Sequence, residues 1–242
     1  MIDLFAVRNG MGLLTLSFLL VIGAQTSAQW TGHAGGAIFT WIHPPFGSGS
    51  PEDIYAQRVD APGSIQWIEG GVVVSDAQNT QATPRILSDN RGGAIVVWFD
   101  LRNGEGDIYA QRIDSLGNQL WGLDAIAVCE VIGSQTDHYV VADGEGGALV
   151  SWRDFRAGTN ELYAQRIDSS GIVRWATGGL RVATQATRPY RSLMVSDRQG
   201  GFVIVWNEEI DPGGLHAQRV NRSGLVQWNL DGVTMSGLKS RG

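Results

Sequence analysis

Two short segments combine carboxylates and arginines at a fixed spacing, and both residue types could serve chemistry. Asp100 is followed two residues later by Arg102, and Asp154 is followed in the same way by Arg156. Two carboxylates several ångströms apart can act as acid and base on a glycosidic bond. Each of these carboxylates, however, comes with its own arginine at the same distance. We therefore interpret them as structural ion pairs in loops, which also perturb carboxylates.

The same segments resemble calcium-binding loops only superficially. Calcium loops place oxygen ligands at positions 1, 3 and 5, and here an arginine occupies position 3. The histidines lie at positions 33, 43, 138 and 216, without metal-ligand spacing, and Cys129 is the only cysteine. A thiolate cluster and an internal disulfide are excluded. The sequence predicts no metal site and no cofactor.

These residues belong to a unit of about 54 residues that occurs four times. Each unit contains Gly-Gly before a strand-like segment with a tryptophan, then Ala-Gln-Arg, then a second tryptophan eleven residues after that alanine. The recurring residues are the first tryptophans Trp41, Trp98, Trp152 and Trp206, the second tryptophans Trp67, Trp121, Trp175 and Trp228, and the arginines Arg58, Arg112, Arg166 and Arg219.

Residues that recur in every unit are most economically structural, because a ligand site rarely needs four copies. We predict that Trp98, Trp152 and Trp206 are core residues. The recurring arginines lie in mid-strand, where a covered arginine needs a partner. We expect that partner to be the aspartate two residues later on the same face, as Asp114 is for Arg112.

Each unit is predicted to form four short strands: the apolar run after the second tryptophan, the segment before Gly-Gly, the tryptophan segment and the Ala-Gln-Arg segment. Asp/Asn/Gly clusters between them are typical of hairpin turns. The sequence therefore predicts an all-β fold, a β-propeller-like array of four repeats at approximately 29–67, 68–121, 122–175 and 176–228. A β-solenoid is the second architecture, and it is less favoured because its rungs are usually shorter.

The two ends of the array depart from the repeat. The first repeat lacks the segments that would form its first two strands, so we expect it to be incomplete. Residues 229–242 follow the last repeat, and Gly232–Met235 matches a strand without a unit. We expect this tail to pair beside Ala37–Trp41 or Ile54–Asp60 and to close a ring, with local pairing beside the fourth repeat as the alternative.

The segments Asp107–Trp121 (DIYAQRIDSLGNQLW) and Glu161–Trp175 (ELYAQRIDSSGIVRW) resemble the blade repeat of secreted bacterial β-propeller proteins of the "DIYAQRID" type. The resemblance covers nearly all of the chain after the leader. It implies a propeller fold and an extracellular, cell-surface or periplasmic location, and it implies no activity.

Residues 1–28 are typical of a secretory signal peptide. Arg8 precedes an apolar run of about 13 residues, and Thr26-Ser27-Ala28 offers small residues at a cleavage site. The run is too short to span a bilayer comfortably. We expect a mature protein of residues 29–242 that is exported and has no membrane span.

Local function is expected where the repeat is broken. The candidates for a binding loop are His43 and Phe46 in a longer loop, Tyr190 and Arg191 near the start of the fourth unit, and Glu208 and Glu209 where other units carry Asp. Aromatic and arginine side chains on such loops suit a glycan or a protein surface.

The net charge of −6 opposes a nucleic-acid partner. No nucleophile elbow is present. The sequence alone therefore favours an exported, non-enzymatic scaffold that presents loops to a protein or a glycan. The alternatives are a carbohydrate-active enzyme and a purely structural module of a larger surface protein.

Overall fold

A computed structural model describes residues 26–30, 36–44, 49–184, 187–209 and 213–237. The regular elements of these ranges are almost all β-strands. In chain order the strands are β1 (Thr26–Trp30), β2 (Gly36–His43), β3 (Asp53–Asp60), β4 (Val72–Ser75), β5 (Gln81–Ser88), β6 (Ala94–Asp100), β7 (Asp107–Ile113), β8 (Ile126–Cys129), β9 (Gln135–Ala142), β10 (Ala148–Asp154), β11 (Glu161–Ile167), β12 (Leu180–Ala183), β13 (Pro189–Ser196), β14 (Phe202–Glu208), β15 (Gly214–Val220) and β16 (Val233–Gly237).

The strands form four sheets of four, each in sequential order: sheet 1 is β1–β4, sheet 2 is β5–β8, sheet 3 is β9–β12 and sheet 4 is β13–β16. The strand pairs are antiparallel. Antiparallel meanders of this kind need tight turns, and the Asp/Gly clusters supply them. At one such turn the Asp114 carboxylate accepts the N–H groups of Leu116 and Asn118. The predicted all-β, β-propeller-type fold is confirmed.

The repeat boundaries differ from those predicted. The apolar run after each second tryptophan is the last strand of its own sheet, not the first strand of the next. For example, Val72 in β4 pairs with Ala56 in β3. The strands therefore group as 26–75, 81–129, 135–183 and 189–237. Sequence alone did not reveal this because a four-residue apolar strand pairs equally well with either neighbour in the chain.

The predicted pairing of the C-terminal tail with the first repeat is wrong. Strand β16 pairs locally with β15, with Val233 opposite Ala217 and Gly237 opposite Gly214. Sheet 1 has its own first strand, because Thr26–Trp30 pairs with β2. The predicted leader boundary at residue 28 thus falls inside β1, while residues 1–25 lie outside the described residues.

The chain divides into two compact units, and each has its own core. The first unit comprises Met1–Gly104 and Tyr109–Ala127, and the second comprises Glu105–Ile108 and Val128–Gly242. In the first unit, Ile38, Ile54 and Val74 of sheet 1 share a buried cluster with Ala94, Val96 and Ile113 of sheet 2. In the second unit, Leu149, Leu162 and Val182 of sheet 3 share a cluster with Phe202, Ile204 and Val220 of sheet 4.

The tryptophans predicted to be core residues are fully buried: Trp98, Trp152 and Trp206 have no exposed surface. Trp41, their counterpart in sheet 1, is half-buried and stacks on Tyr55 with ring centroids 6.2 Å apart. The β-branched and aromatic residues around them favour strands because they pack well on a pleated surface. Sheets 2, 3 and 4 therefore bury their first tryptophan completely, and sheet 1 does so only in part.

A glutamine in the third strand of every sheet ties the following hairpin together. The Gln57 Oε1 accepts the N–H groups of Arg58 and Trp67, at 2.9 and 3.1 Å, and its Nε2 donates to the Ile68 carbonyl at 2.8 Å. The same fork recurs at Gln111, Gln165 and Gln218. Both polar atoms of the glutamine side chain are thus satisfied, by three hydrogen bonds to groups within eleven residues.

The first strands of sheets 2, 3 and 4 each contain a β-bulge. The pairing register shifts between Ala82 and Arg85 in β5, around Asp137 in β9 and between Tyr190 and Ser192 in β13. One residue in each bulge has a positive φ: Thr83 at 51°, Asp137 at 51° and Arg191 at 46°. Such backbone is uncommon for residues other than glycine, and bulges re-aim the side chains that they carry.

In the described part of the chain, no helix is long and apolar enough to cross a membrane.

Candidate functional site

The Asp100 and Asp154 carboxylates are part of a repeated, buried cluster. Neither residue has exposed surface. In sheet 3 the Trp152 Nε1 donates to Asp154 Oδ2 at 2.8 Å, and Arg156 reaches both carboxylate oxygens at 2.6 and 2.7 Å. The guanidinium of Arg156 lies 4.0 Å from the ring centroid of Tyr163. A carboxylate enclosed in this way cannot contact a substrate, so it is structural.

Sheet 2 repeats this arrangement. Trp98 Nε1 donates to Asp100 Oδ2 at 2.8 Å, Arg102 binds the same carboxylate, and its guanidinium lies 3.8 Å from the Tyr109 ring centroid. The interpretation of Asp100–Arg102 and Asp154–Arg156 as loop ion pairs agrees with both sheets.

Sheet 4 replaces the Asp–Arg pair with Glu208 and His216. The Glu208 Oε1 lies 2.8 Å from His216 Nε2, and its Oε2 accepts the Gly214 N–H at 3.0 Å. The His216 ring stacks on Trp206 with centroids 5.7 Å apart. In sheet 1, His43 is exposed and meets Tyr55 edge-on at 5.8 Å, while Phe46 lies outside the described residues.

The recurring arginines do not pair with the aspartates predicted for them. Arg112 binds Asp89, and Arg166 binds Asp143, each at 2.8 Å and each in a buried pair. These partners are the aspartates of the turn between the first two strands of the same sheet. Asp114 and Asp168 instead accept backbone N–H groups in their own turns. Of the other two arginines, Arg58 donates to the Ser115 carbonyl, and Arg219 is exposed.

An open cavity of about 390 Å³ in the second unit is lined by Glu145, Arg166, Asp168, Arg174, Trp175, Arg222 and Ser223. Glu145 accepts hydrogen bonds from Arg222 and from Arg166, and these bonds, that of Arg222 above all, hold the pKa of its carboxyl below the usual value. Arg174 faces Asp168 at 3.6 Å. Each charge on the cavity wall is matched by another, so the cavity offers a ligand little unpaired charge.

A second cluster in the second unit is not repeated, and it combines exposed and aromatic groups. Asp137, in the bulge of β9, forms an ion pair of 2.7 Å with Arg153 of β10. The Asp137 side chain is 61% exposed, whereas that of Arg153 is 14% exposed. The Asp137 carboxylate is therefore open to solvent, whereas the Arg153 side chain is largely buried. We call the cluster of Asp137, Arg153, Phe155, Tyr190 and Arg191 the bulge site.

Two aromatic rings and a second arginine complete the bulge site. The Arg153 guanidinium lies 5.3 Å from the Tyr190 ring centroid and 5.4 Å from that of Phe155. Arg191, in the bulge of β13, lies 5.4 Å from the same Tyr190 ring. Strands β9 and β13 contact each other within this unit. Arg153, which binds Asp137, and Arg191 therefore lie near the same Tyr190 ring.

The far end of β14 adjoins the bulge site. The Glu209 N–H donates to the Arg188 carbonyl at 3.0 Å, just before Tyr190, and Asn160 Nδ2 donates to the Glu209 carboxylate at 3.1 Å. Four of the sequence candidates, Tyr190, Arg191, Glu208 and Glu209, therefore lie at the paired ends of β13 and β14. His43 belongs to the first unit.

Polar atoms without hydrogen-bond partners accumulate beside this site. Among the described residues these include the buried atoms Arg153 Nε, Thr159 Oγ1 and Asn160 Oδ1. A buried polar group without a partner is costly, and each instance in a native protein calls for an explanation. A polar ligand or ordered water at this place would account for them.

Sequence analysis missed Asp137, Arg153 and Phe155. Arg153 occupies the position of Phe99 in sheet 2 and Asn207 in sheet 4, so the break in the repeat was visible. The break was overlooked because Arg153 lies between Trp152 and Asp154, which both belong to the repeat and make the segment look regular. Its meeting with Tyr190 depends on contact between two sheets, which no local pattern records.

Comparison with protein-family models gives no match, and comparison with curated protein sequences gives none. Solved structures do match. A family 117 glycoside hydrolase from Zobellia galactanivorans aligns with 98% of this chain and 76% of its own, at 10% identity and a TM-score of 0.51. An exo-β-1,3-galactanase from Clostridium thermocellum aligns with 96% of this chain and 52% of its own, at 9% identity and a TM-score of 0.52.

At this level of identity the likeness shows the fold. The sequence-based prediction of a non-enzymatic scaffold is wrong by this comparison, because the two similar structures named above are glycoside hydrolases and not binding scaffolds. The alternative that the sequence left open, a carbohydrate-active enzyme, is the one that these neighbours favour.

Proposed function

We propose that this protein is an exported, carbohydrate-active enzyme that binds a glycan at the bulge site and hydrolyses a glycosidic bond there. The observation that carries the proposal is the exposed Asp137 carboxylate, paired with Arg153 beside the Tyr190 ring. An aromatic face packs against the apolar side of a sugar ring, while arginine and carboxylate groups bind its hydroxyls. The glycoside hydrolase neighbours support the same substrate class.

Hydrolysis requires two carboxyl groups in different roles. One donates a proton to the leaving oxygen, and the other attacks the anomeric carbon or activates a water molecule. In this proposal Asp137 is the ionised carboxylate that attacks the anomeric carbon or activates the water molecule, and Arg153 orients it. Glu209 is the proton donor, oriented by Asn160. Asp100 and Asp154 have no part in the chemistry because they are enclosed.

The test is release of reducing ends from polysaccharides, β-1,3-galactan among them, by the purified protein and three variants. Glu209→Gln should lower kcat by about 10²–10⁴-fold, the usual contribution of a proton-transfer group. Asp137→Asn should remove most of the activity, and Tyr190→Ala should chiefly raise KM because it removes a binding surface.

Asp124→Asn is the matched control, since Asp124 is an exposed carboxylate of the first unit. It should leave the rate unchanged. Full activity in Asp137→Asn, with the fold intact by circular dichroism, would remove Asp137 from the proposal.

A further inference from the structure

The bulges of β9 and β13 carry opposite charges at the same position of the repeat. That position is Asp137 in sheet 3 and Arg191 in sheet 4, and both residues have a positive φ, of 51° and 46°. The neighbouring position on the second strand is Arg153 in sheet 3 and Asn207 in sheet 4. Arg153 forms an ion pair with Asp137, whereas Asn207 has no charge to offer Arg191.

The exposure of Arg191 follows from the bulge itself. Asp137 is 61% exposed at the same position of sheet 3, although sheets 3 and 4 share a buried core within the same unit. A bulge re-aims the side chain that it carries, and here it turns that side chain outward. Arg191 is exposed in the same way, but its guanidinium stays at the bulge site, 5.4 Å from the Tyr190 ring centroid.

A second arginine of sheet 4 precedes Tyr190. Arg188 is exposed, with φ of 36°, and its carbonyl accepts the Glu209 N–H. The carbonyls that make the equivalent hydrogen bond in sheets 2 and 3 belong to Thr80 and Ser134. Sheet 4 therefore carries an arginine on either side of Tyr190 in the chain, at positions where sheets 2 and 3 carry no cation.

The carboxylates at this end of β13 and β14 are engaged by other groups. Three of them lie here, and each has its own partner: Asp137 binds Arg153, Glu208 binds His216 and Glu209 binds Asn160. In the part of the chain that the structure describes, Arg188 and Arg191 form no ion pair. Two guanidinium groups are thus available to an anion beside the aromatic ring.

We propose that Arg191 and Arg188 bind an acidic group of the glycan, so that the substrate is an acidic polysaccharide that carries uronic acid carboxylates or sulfate esters. This inference rests on the proposed function, because it takes the bulge site as the place where the glycan binds. A guanidinium presents its N–H groups as a planar fork that matches two oxygens of a carboxylate or a sulfate. A sugar that packs on the Tyr190 ring brings its acidic group within reach of Arg191, which lies beside the same ring.

The charge of the whole chain makes this binding easy to recognise. The net charge is −6, so the protein as a whole repels an acidic polymer. Non-specific attraction therefore contributes little, and affinity for an acidic glycan has to come from cations at one place on the surface.

The experiment compares the affinity of the purified protein for two matched pairs of polysaccharides by isothermal titration calorimetry. One pair is polygalacturonate and its fully methyl-esterified form, and the other is carrageenan and its desulfated form. The unmodified protein should bind the acidic member of at least one pair about tenfold more tightly than the neutral member, as expected for hydrogen bonds to a charged group. A preference within the first pair identifies a carboxylate as the ligand, and a preference within the second pair identifies a sulfate.

Arg191→Asn should remove most of this preference and leave the affinity for the neutral member nearly unchanged. Arg188→Asn should lower the preference less, because Arg191 is the arginine beside the Tyr190 ring. Arg198→Asn is the matched control: Arg198 is also exposed and has a positive φ, of 59°, but it follows the other end of β13. It should keep the full preference. Asparagine tolerates a positive φ, so all three variants should fold, and circular dichroism checks this.

Equal affinity of the unmodified protein for both members of both pairs, or binding to none of them, would overturn the inference without any variant. An equal loss in Arg198→Asn and Arg191→Asn would overturn it too, because the effect would then be one of overall charge. Reducing ends released in the same mixtures separate this inference from the proposed function. Cleavage without a preference for an acidic probe would remove the inference alone. A preference that depends on Arg191, with no polysaccharide cleaved, would remove the proposed hydrolysis and keep the acidic-glycan site.

Discussion

The Asp154 carboxylate shows how much of this protein depends on single charged side chains placed inside sheets. It accepts from the Trp152 indole, from the Arg156 guanidinium and from the Arg156 backbone N–H. Its partner Arg156 is 24% exposed, while Asp154 has no exposed surface. Removal of one member of such a pair leaves the other without compensation, and this usually costs more than the intact pair contributes.

Asp154→Asn should therefore lower the free energy of unfolding by about 2–4 kcal/mol, toward the lower end for buried pairs because Arg156 is partly hydrated. The change keeps the size of the side chain and removes its charge. Urea denaturation followed by tryptophan fluorescence measures the difference.

Asp124→Asn again serves as the control, and it should change the midpoint little because that carboxylate is exposed. An Asp154→Asn protein with the unfolding midpoint of the unmodified protein would show that the pair is not structural.

The sequence alone predicted ion-pair partners only where the two residues are close together in the chain. Asp154 and Arg156 are two residues apart, and their pairing could be predicted. The partner of Arg166, by contrast, is Asp143, which is 23 residues away and is brought near by strand pairing. Asp168, the partner expected from spacing, is used by its own turn.

In sheets 1, 3 and 4 the residue before the last strand is a glycine that lies against the first tryptophan of the sheet, whereas sheet 2 carries Ala125 there, with φ of 62°. Gly179 precedes β12 with φ of +93°, and a Cβ at this position would lie 2.5 Å from the Trp152 ring. Trp152 is fully buried and cannot move away. The same approach occurs at Gly71 to Trp41 and at Gly232 to Trp206. In these three sheets a Cβ at the entry to the strand would clash with the ring as it stands, whereas sheet 2 accommodates the Cβ of Ala125 beside its core.

Gly179→Ala should destabilise the protein by about 2–4 kcal/mol, from the left-handed backbone and from overpacking against the ring. Gly158→Ala isolates the first cause. Gly158 also has a positive φ, of 74°, but nothing lies within 4 Å of its Cβ position.

The Gly158→Ala control should cost about 1–2 kcal/mol. Thermal unfolding of the two variants gives the comparison, and equal losses would mean that the tryptophan contact does not restrict this position.

The bulges are the elements that sequence could not reveal. Hydrophobic alternation and turn residues predicted that strands precede each Gly-Gly. A bulge at Thr83, Asp137 or Arg191 carries no glycine to mark it, so the change of face that it imposes was invisible. For this reason Tyr190 and Arg191 were found as candidates, while Asp137 and Arg153 were not.

For the molecule as a whole, the predicted leader has a direct structural consequence. Cleavage after Ala28 would leave Gln29 and Trp30 of β1, opposite Ile38 and Ala37, and would remove the pairs of Thr26, Ser27 and Ala28. The outer strand of sheet 1 would then be a two-residue stub in the exported protein.

N-terminal sequencing of the exported protein should find Gln29 as the first residue. Ala28→Gln should block processing, because the position before the cut requires a small side chain. Gln29→Asn, just after the cut, is the control and should be processed normally. An exported protein that still carries Thr26 would show that β1 remains complete and that the predicted boundary is wrong.

The glutamine fork of each third strand has a consequence for how the chain folds. The hydrogen bonds of Gln165 reach no further than Ala176, eleven residues away, and they need no other sheet. Contacts so close in sequence cost little loop entropy, so these hairpins have low contact order and should form before the sheets dock. Each repeat would then contain its own folding nucleus, which can form while the rest of the chain is still being synthesised. Gln165→Ala should consequently slow refolding, so that most of its loss of stability appears in the refolding rate. Met194→Ala, in the core shared by sheets 3 and 4, should mainly speed unfolding. Stopped-flow refolding and unfolding rates of the two variants measure this difference.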